Sequence, residues 1–346
     1  RGVGSRGKRP AKHGVLMLLS NPFRPDPRVH KEAKALKSAG SPVRILCWSR
    51  EGGFKKEEYI DNICIQRVSI PSKYSSPIKF ALSLPLFWLV AFWHVWSGTE
   101  RVVHCHDLDT LFPGWLGARL CGKKVVFDAH ELYAEMIRKD VPNFIYKSAH
   151  IMENFLVPRV DMVVTVNDRF KSFYKKKGSR RTITIMGCDS LEEVAPDLRS
   201  VSNLERPVVA YIGVLEPTRM ILEAAGDIAR CEYASMLIGG FGSLEDSVEE
   251  LAREKCISFL GRVPSKDVRR IDAACDLLMA VYDPENINNA NSVPNKLFEA
   301  MSVGRPIVVA EGTFSGDVVK KEGCGYTIRY GDVDALRAST SPYRMV

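Results

Sequence analysis

The feature that most constrains this chain is an alternation of short, continuous apolar runs with helical segments, repeated through two cycles. The first cycle places runs at Val15–Ser20, Val43–Trp48, Ile63–Ile70, Val102–His106, Val125–Ala129 and Met162–Val166. The second places them at Val208–Gly213, Met236–Gly240, Ile257–Gly261, Leu277–Tyr282, Ile307–Ala310 and Tyr326–Arg329. A run that is apolar at every position belongs to a strand buried on both faces. Helices between such strands supply the covers and the crossovers that parallel pairing needs. The expected fold class is therefore α/β, with two doubly wound, Rossmann-like domains in tandem facing a central cleft. Ligands of such sheets sit beyond the carboxyl ends of the strands.

A chain of 346 residues accommodates two domains. The expected boundaries are a disordered basic tail at 1–12, a first domain at 13–187, a linker at 188–206 and a second domain at 207–346, its end incomplete. The polar stretch Gly187–Arg206 lacks a clear period, hence the linker. Of the formal charge of +8, Arg1, Arg6, Lys8, Arg9 and Lys12 lie in the tail, leaving only about +3 on the body. That is too mild to argue for a nucleic-acid partner. The nine cysteines are odd in number and show no metal-ligand or redox spacing. Cys47, Cys105 and Cys275 sit in apolar runs and read as small buried hydrophobes of a reducing, cytoplasmic compartment. His104 and His106 fall on one face of a strand, but no third ligand is evident, so no metal is expected.

The stretch Pro77–Ser97 is nearly all apolar and rich in aromatics, interrupted by Lys79, Pro85 and His94. Three readings stay open: a core-facing helix, a helix lying in a membrane interface, and a short span. Elsewhere Asp26 caps a helix with Pro27 at its first position and Val29, Ala33 and Leu36 on one face, ending at Gly40. Asp107 and Asp109 end a strand and open a helix, which favours capping over metal binding.

The segment Ser292–Ala310 reads as a helix opened by Pro294 and stopped at Gly304, feeding a buried strand. Asn295, Lys296 and Glu299 occupy its first two turns. A helix N-terminus seats phosphate, and a carboxylate one turn on accepts ribose hydroxyls. The combination suggests a nucleotide site.

Several segments, taken in order, resemble the GT-B retaining glycosyltransferases of family four (glycosyl transferases group 1). They are Asp26–Glu32, His104–Leu111, Phe127–Leu132, Tyr211–Gly213, Leu237–Gly240, Phe259–Gly261 and Pro294–Pro306. The resemblance implies a retaining hexosyltransferase that moves a sugar from a nucleotide-diphosphate sugar to a glycan or lipid-linked acceptor, with no metal or other cofactor. It implies catalytic roles for His130, Arg219 and Lys296. It places the donor against Gly213, Arg219, Gly239, Gly240, Gly242, Asn291, Ser292, Asn295, Lys296, Leu297 and Glu299. The acceptor side falls to Arg24, Asp26, Arg28, His106, Asp107, His130 and Glu131, with Glu131 as a first-turn acid and His130 as a neutral imidazole beside the sugar. An aromatic helix at 77–97 would then serve peripheral membrane contact at the cytoplasmic face.

Two positions depart from the family pattern. Val214 stands where a clamp arginine is usual, with Lys296 as the candidate replacement, and Asn291 stands where the first of two acidic residues is usual. A sugar-nucleotide epimerase of the same architecture and a non-catalytic binding subunit are the competing readings. Residue by residue, blander roles also stand. Glu299 can be a solvated helix carboxylate paired with Lys296, His130 a packing residue, and the 239–242 glycines a strand-to-helix turn.

Overall fold

The computed structural model describes residues 14–23, 26–50, 52–72, 77–188 and 193–341. The basic tail and Arg24 lie outside them. The chain divides into two compact units, 1–185 and 186–346.

The first unit holds an eight-stranded sheet. Its strands are β1 (Val15–Leu19), β2 (Val43–Ser49), β3 (Glu57–Ile60), β4 (Ile63–Ser69), β5 (Val102–His106), β6 (Lys124–Ala129), β7 (Met162–Thr165) and β8 (Thr182–Thr184), in the order β3-β4-β2-β1-β5-β6-β7-β8. All pairs are parallel except β3 with β4. Every residue of β1 is buried, because both faces are covered. Val29 and Ala33 of helix Pro27–Ser38 join Val15, Met17 and Leu19 in one core cluster. On the other face, helix Leu108–Cys121 comes so near that a side chain at Gly114 would strike Leu18 and Cys105. Asp26 caps the first helix as expected, its carboxylate accepting from Val29 N at 3.1 Å.

Two strands were not legible in the apolar pattern. The hairpin β3–β4 turns through Asp61 and Asn62, both at positive φ (49° and 57°), the conformation of a two-residue primed turn. Strand β8 is a polar three-residue edge, Thr-Ile-Thr.

The helix at Pro77–Ser97 runs through Pro85 without ending. One face is core: Phe87, Ala91 and Val95 are fully buried, and Phe87 stacks on Trp48 at 5.1 Å. The other face carries Leu82, Leu86, Leu89, Trp93 and Trp96, each at least half exposed. The core-facing reading therefore holds for one face only. No helix among the described residues is long and apolar enough to cross a membrane.

The second unit holds β9 (Val208–Leu215), β10 (Ser235–Gly242), β11 (Ile257–Phe259), β12 (Leu277–Ala280), β13 (Ile307–Ala310) and β14 (Gly325–Ile328), all parallel, in the order β11-β10-β9-β12-β13-β14. Part of the expected linker belongs to this unit. Val201, on a short 3-10 turn at Leu198–Val201, is buried in its core, and Asp197 N donates to Arg270 O at 2.8 Å.

Candidate active site

In the second unit the strand order reverses between β9 and β12, so the crevice for a ligand lies at their carboxyl ends. Helix Asn295–Val303 starts beside it. Pro294 is its N-cap, one position earlier than expected, and Gly304 ends it in the left-handed conformation at φ 64°. The Lys296 ammonium lies 4.7 Å from the Tyr211 ring centre and occupies the space that a side chain at Gly213 would need. Burial alone would depress its pKa, but Tyr282, Tyr211 and Glu299 outweigh this and raise it. The ammonium stays charged.

Arg219 is held beside it. Its guanidinium stacks 3.7 Å above Tyr282 and donates to Asn289 Oδ1 at 3.4 Å and Glu216 Oε2 at 3.2 Å. Asn289 is buried, and its amide nitrogen has no partner among the described residues. Asn289 lies on a short helix, Ile287–Asn291, which the Asn286 side chain caps. Within it Asn291 donates to Ile287 O at 2.7 Å, and the buried Ser292 hydroxyl donates to Asn289 O at 3.4 Å. Asn295 is exposed at the helix start, whereas Leu297 is fully buried and belongs to the core. Glu299 is half-buried, and sequence reasoning missed its neighbour Asp272. Burial, and then Glu299, push the Asp272 carboxyl well above the usual range.

The glycines of β10 play a role other than a simple turn. Gly240 and Gly242 take φ of 143° and 157° and keep the strand paired with β9 as far as Leu215. A side chain at Gly240 would collide with the Gly213 backbone, so these glycines keep the two strand ends close. Gly239 is buried against Val263 and Ile212.

In the first unit the switch point falls between β1 and β5. The parallel register sets His106 beside Asp128, and Glu32 and Arg28 reach them from the first helix. Asp128 Oδ2, fully buried, lies 3.4 Å from His104 Nε2, 3.4 Å from His106 Nδ1 and 3.2 Å from His130 Nε2. Arg28 holds the other oxygens, donating to Asp128 Oδ1 at 3.3 Å and to Glu32 Oε1 at 3.3 Å. The expectation of no third ligand near His104 and His106 fails. The sequence placed Glu32 and Asp128 in separate motifs, and only strand register and helix packing join them.

Other expectations need correction. Asp107 stands at the N-cap position, but with φ 62° its carboxylate turns from its own helix and accepts from His130 N at 3.2 Å. Asp109 is a buried first-turn residue, not the cap. Glu131 precedes the next helix, Tyr133–Ile137, whose first-turn acid is Glu135. His130 is not neutral: burial would lower its pKa, but the Asp128 carboxylate raises it to about 9. Burial and Asp128 push Glu32 up to about 8, and burial pushes Asp107 up to about 7 against the pull of His130.

These shifts predict a pH profile. Groups that bind protons more tightly when folded stabilise the fold below their unfolded pKa and lose that contribution as pH rises through the folded one. His130 therefore contributes fully below about 6.5 and loses the effect through about 9. The raised carboxyls, Glu32 and Asp107, lose theirs by about 8 and 7. Asp128, held well below the usual range by His130 and His104 despite its burial, works oppositely in strong acid. In metal-free buffer the Tm should fall steadily from about pH 6 to pH 9, and His130→Gln should flatten the upper part of that fall. A wild-type Tm rising over this range would contradict the network.

Comparison with known proteins defines the class. The Glycosyltransferase Family 4 model matches residues 28–187, and the model for Glycosyl transferases group 1 matches residues 206–341. The chain belongs to the GT-B glycosyltransferases. Among solved structures it is similar to sucrose-phosphate synthase from Thermosynechococcus elongatus, with TM-score 0.76 and 16% identity over 94% of this chain and 88% of that one. It is also similar to Anabaena HepE in complex with UDP-glucose (TM-score 0.68, 16% identity, 94% and 88%). A third relative is the E. coli trehalose-6-phosphate structure bound with UDP-2-fluoro glucose (TM-score 0.67, 12%, 94% and 90%). No curated protein matches the chain significantly in sequence.

Proposed function

We propose that the chain transfers a sugar from a nucleoside-diphosphate sugar to a glycan or lipid-linked acceptor, with retention and with no metal at the donor phosphates. The observation that carries this reading is the seating of Lys296 and Arg219 at the carboxyl end of β9, next to the side-chain-free Gly213. Charge builds on the departing diphosphate, and preorganised cations aimed there lower the barrier without reorganising. Glu299, one helical turn beyond Lys296, is the ribose acceptor on this reading. The nucleotide class is supported by relatives that bind UDP, UDP-glucose or UDP-2-fluoro glucose. Retention is supported by a trehalose-6-phosphate synthase relative studied for glycosyltransfer with retention. On this reading the transfer step itself uses no cofactor beyond the donor.

Glu299→Ala should weaken nucleoside-diphosphate binding by about 1.5–3 kcal/mol, the range for hydrogen bonds to a charged group. Calorimetric titration of the folded variant measures this, and wild-type affinity would remove Glu299 from the site.

A lipid-linked acceptor is favoured by the exposed stripe on helix Pro77–Ser97, and it would put the enzyme at the cytoplasmic face of a membrane. Leu82, Leu86, Leu89, Trp93 and Trp96 follow helical spacing on the face away from the core. Trp88 is a poor test position, because its indole N–H donates to Asp109 O at 2.5 Å. Replacing Leu86, Leu89 and Trp93 together by Ser should cut binding to anionic liposomes at least about tenfold. The Tm should move by only a few degrees, since these side chains fill no core space. Unchanged liposome binding would refute peripheral contact through this helix.

A further inference from the structure

We infer that the first unit contains a binding site for a divalent transition-metal ion of the zinc type, formed by His106, Asp128 and His130 with Glu32 as fourth ligand. His106 Nδ1 and His130 Nε2 are 3.1 Å apart, and each lies 3.4 and 3.2 Å, respectively, from Asp128 Oδ2. Ligands about 2.0–2.1 Å from a tetrahedral zinc ion stand about 3.3 Å from one another. The three measured separations match one face of that tetrahedron. The coordinating atom of Glu32 falls within 4.8 Å of the other three, close enough to complete it by a side-chain adjustment.

The pattern of hydrogen bonds points the same way. Asp128 Oδ2 is fully buried and meets the three imidazole nitrogens at ion-pair distances of 3.2–3.4 Å, none of them a well-aligned hydrogen bond, and Glu32 Oε2 has no closer histidine nitrogen than His104 Nε2 at 3.9 Å. Arg28 engages the outer oxygen of each carboxylate, leaving both inner oxygens turned toward the histidines. Buried carboxylate oxygens held by poorly aligned contacts are costly; a cation at the point where they and the two ring nitrogens converge would take the place of those contacts. The ligand set, two imidazoles and two carboxylates, suits zinc and cobalt rather than magnesium or calcium. The ligands all belong to the first unit, and none of them is a residue assigned to the donor phosphates. It would engage the His130 nitrogen that faces Asp128, so metal occupancy and a sugar contact through that nitrogen exclude each other.

The test uses the full chain, stripped with chelator and titrated with Co2+. The expected result is the visible absorption of four-coordinate cobalt at one equivalent, bleached by an equivalent of Zn2+. His106→Gln and the near-isosteric Glu32→Gln should each weaken Zn2+ binding at least about tenfold. His150→Gln, which alters a histidine paired with Glu135 on another element, should not. Circular dichroism shows which variants are folded, and Glu32→Gln carries the test if His106→Gln is not. Absence of the four-coordinate cobalt spectrum, or wild-type Zn2+ affinity in folded Glu32→Gln, would overturn the site and leave a metal-free hydrogen-bond network. Neither outcome depends on whether the protein transfers sugar.

Discussion

Lys296→Ala should lower kcat by about 10²–10³, the range seen when one preorganised group facing a developing oxyanion is removed. Val214, at the position where the family resemblance leads one to expect a clamp arginine, offers no charge. Lys296 sits instead against Gly213 and Tyr211, one turn before Glu299. The loss should fall on turnover more than on nucleoside affinity, because the charge it meets grows as the diphosphate departs. Comparing nucleoside with nucleoside-diphosphate binding separates the two effects. If both weaken equally, Lys296 packs the pocket and does not clamp phosphate. If turnover in the folded variant matches wild type, the phosphate role is wrong.

Gly240→Ala should destabilise the second unit by roughly 2–6 kcal/mol. Strained backbone costs about 1–3 kcal/mol, and overpacking adds a similar amount. The new methyl would collide with the Gly213 carbonyl, which belongs to the paired backbone of β9 and has nowhere to go. Gly226→Ala is the matched contrast. It lies inside helix Ile221–Cys231 with nothing within 4 Å of the added carbon, and alanine there should stabilise by about 0.5–1 kcal/mol. Thermal unfolding of the two variants decides the matter. A Gly240→Ala protein as stable as wild type would mean that the β9–β10 contact is looser than described.

The strands buried on both faces were legible because their composition reports burial directly. Val43–Trp48 and Ile307–Ala310 need no partner to be identified. β3 was missed because Glu57-Glu58-Tyr59-Ile60 is half-exposed, although Asp61-Asn62 before Ile63 is a recognisable hairpin signal. The extension of β9 and β10 through glycines was hidden because glycine usually marks where a strand stops. Helix caps were partly readable. Asp26 behaves as local sequence dictates, but Asp107 does not, since a positive φ redirects its carboxylate to a neighbouring loop. The donor-side residues cluster along one helix and one strand end, so sequence neighbours remain spatial neighbours. The first-unit cluster draws on a helix, β5 and the end of β6, and no single window of sequence contains it. Asp272 was invisible for the same reason, lying on a different helix from Glu299.

The antiparallel β3 has a consequence for self-association. A parallel sheet ending at β4 would present a seven-residue strand whose free amides and carbonyls could template another chain. Here the rim is four residues long, with Glu57 and Tyr59 exposed and Glu58 tied to Arg67. An incoming strand would find little length to pair with and would have to bring its own backbone alongside carboxylates. The hairpin thereby discourages edge-to-edge polymerisation on this side of the sheet at high protein concentration.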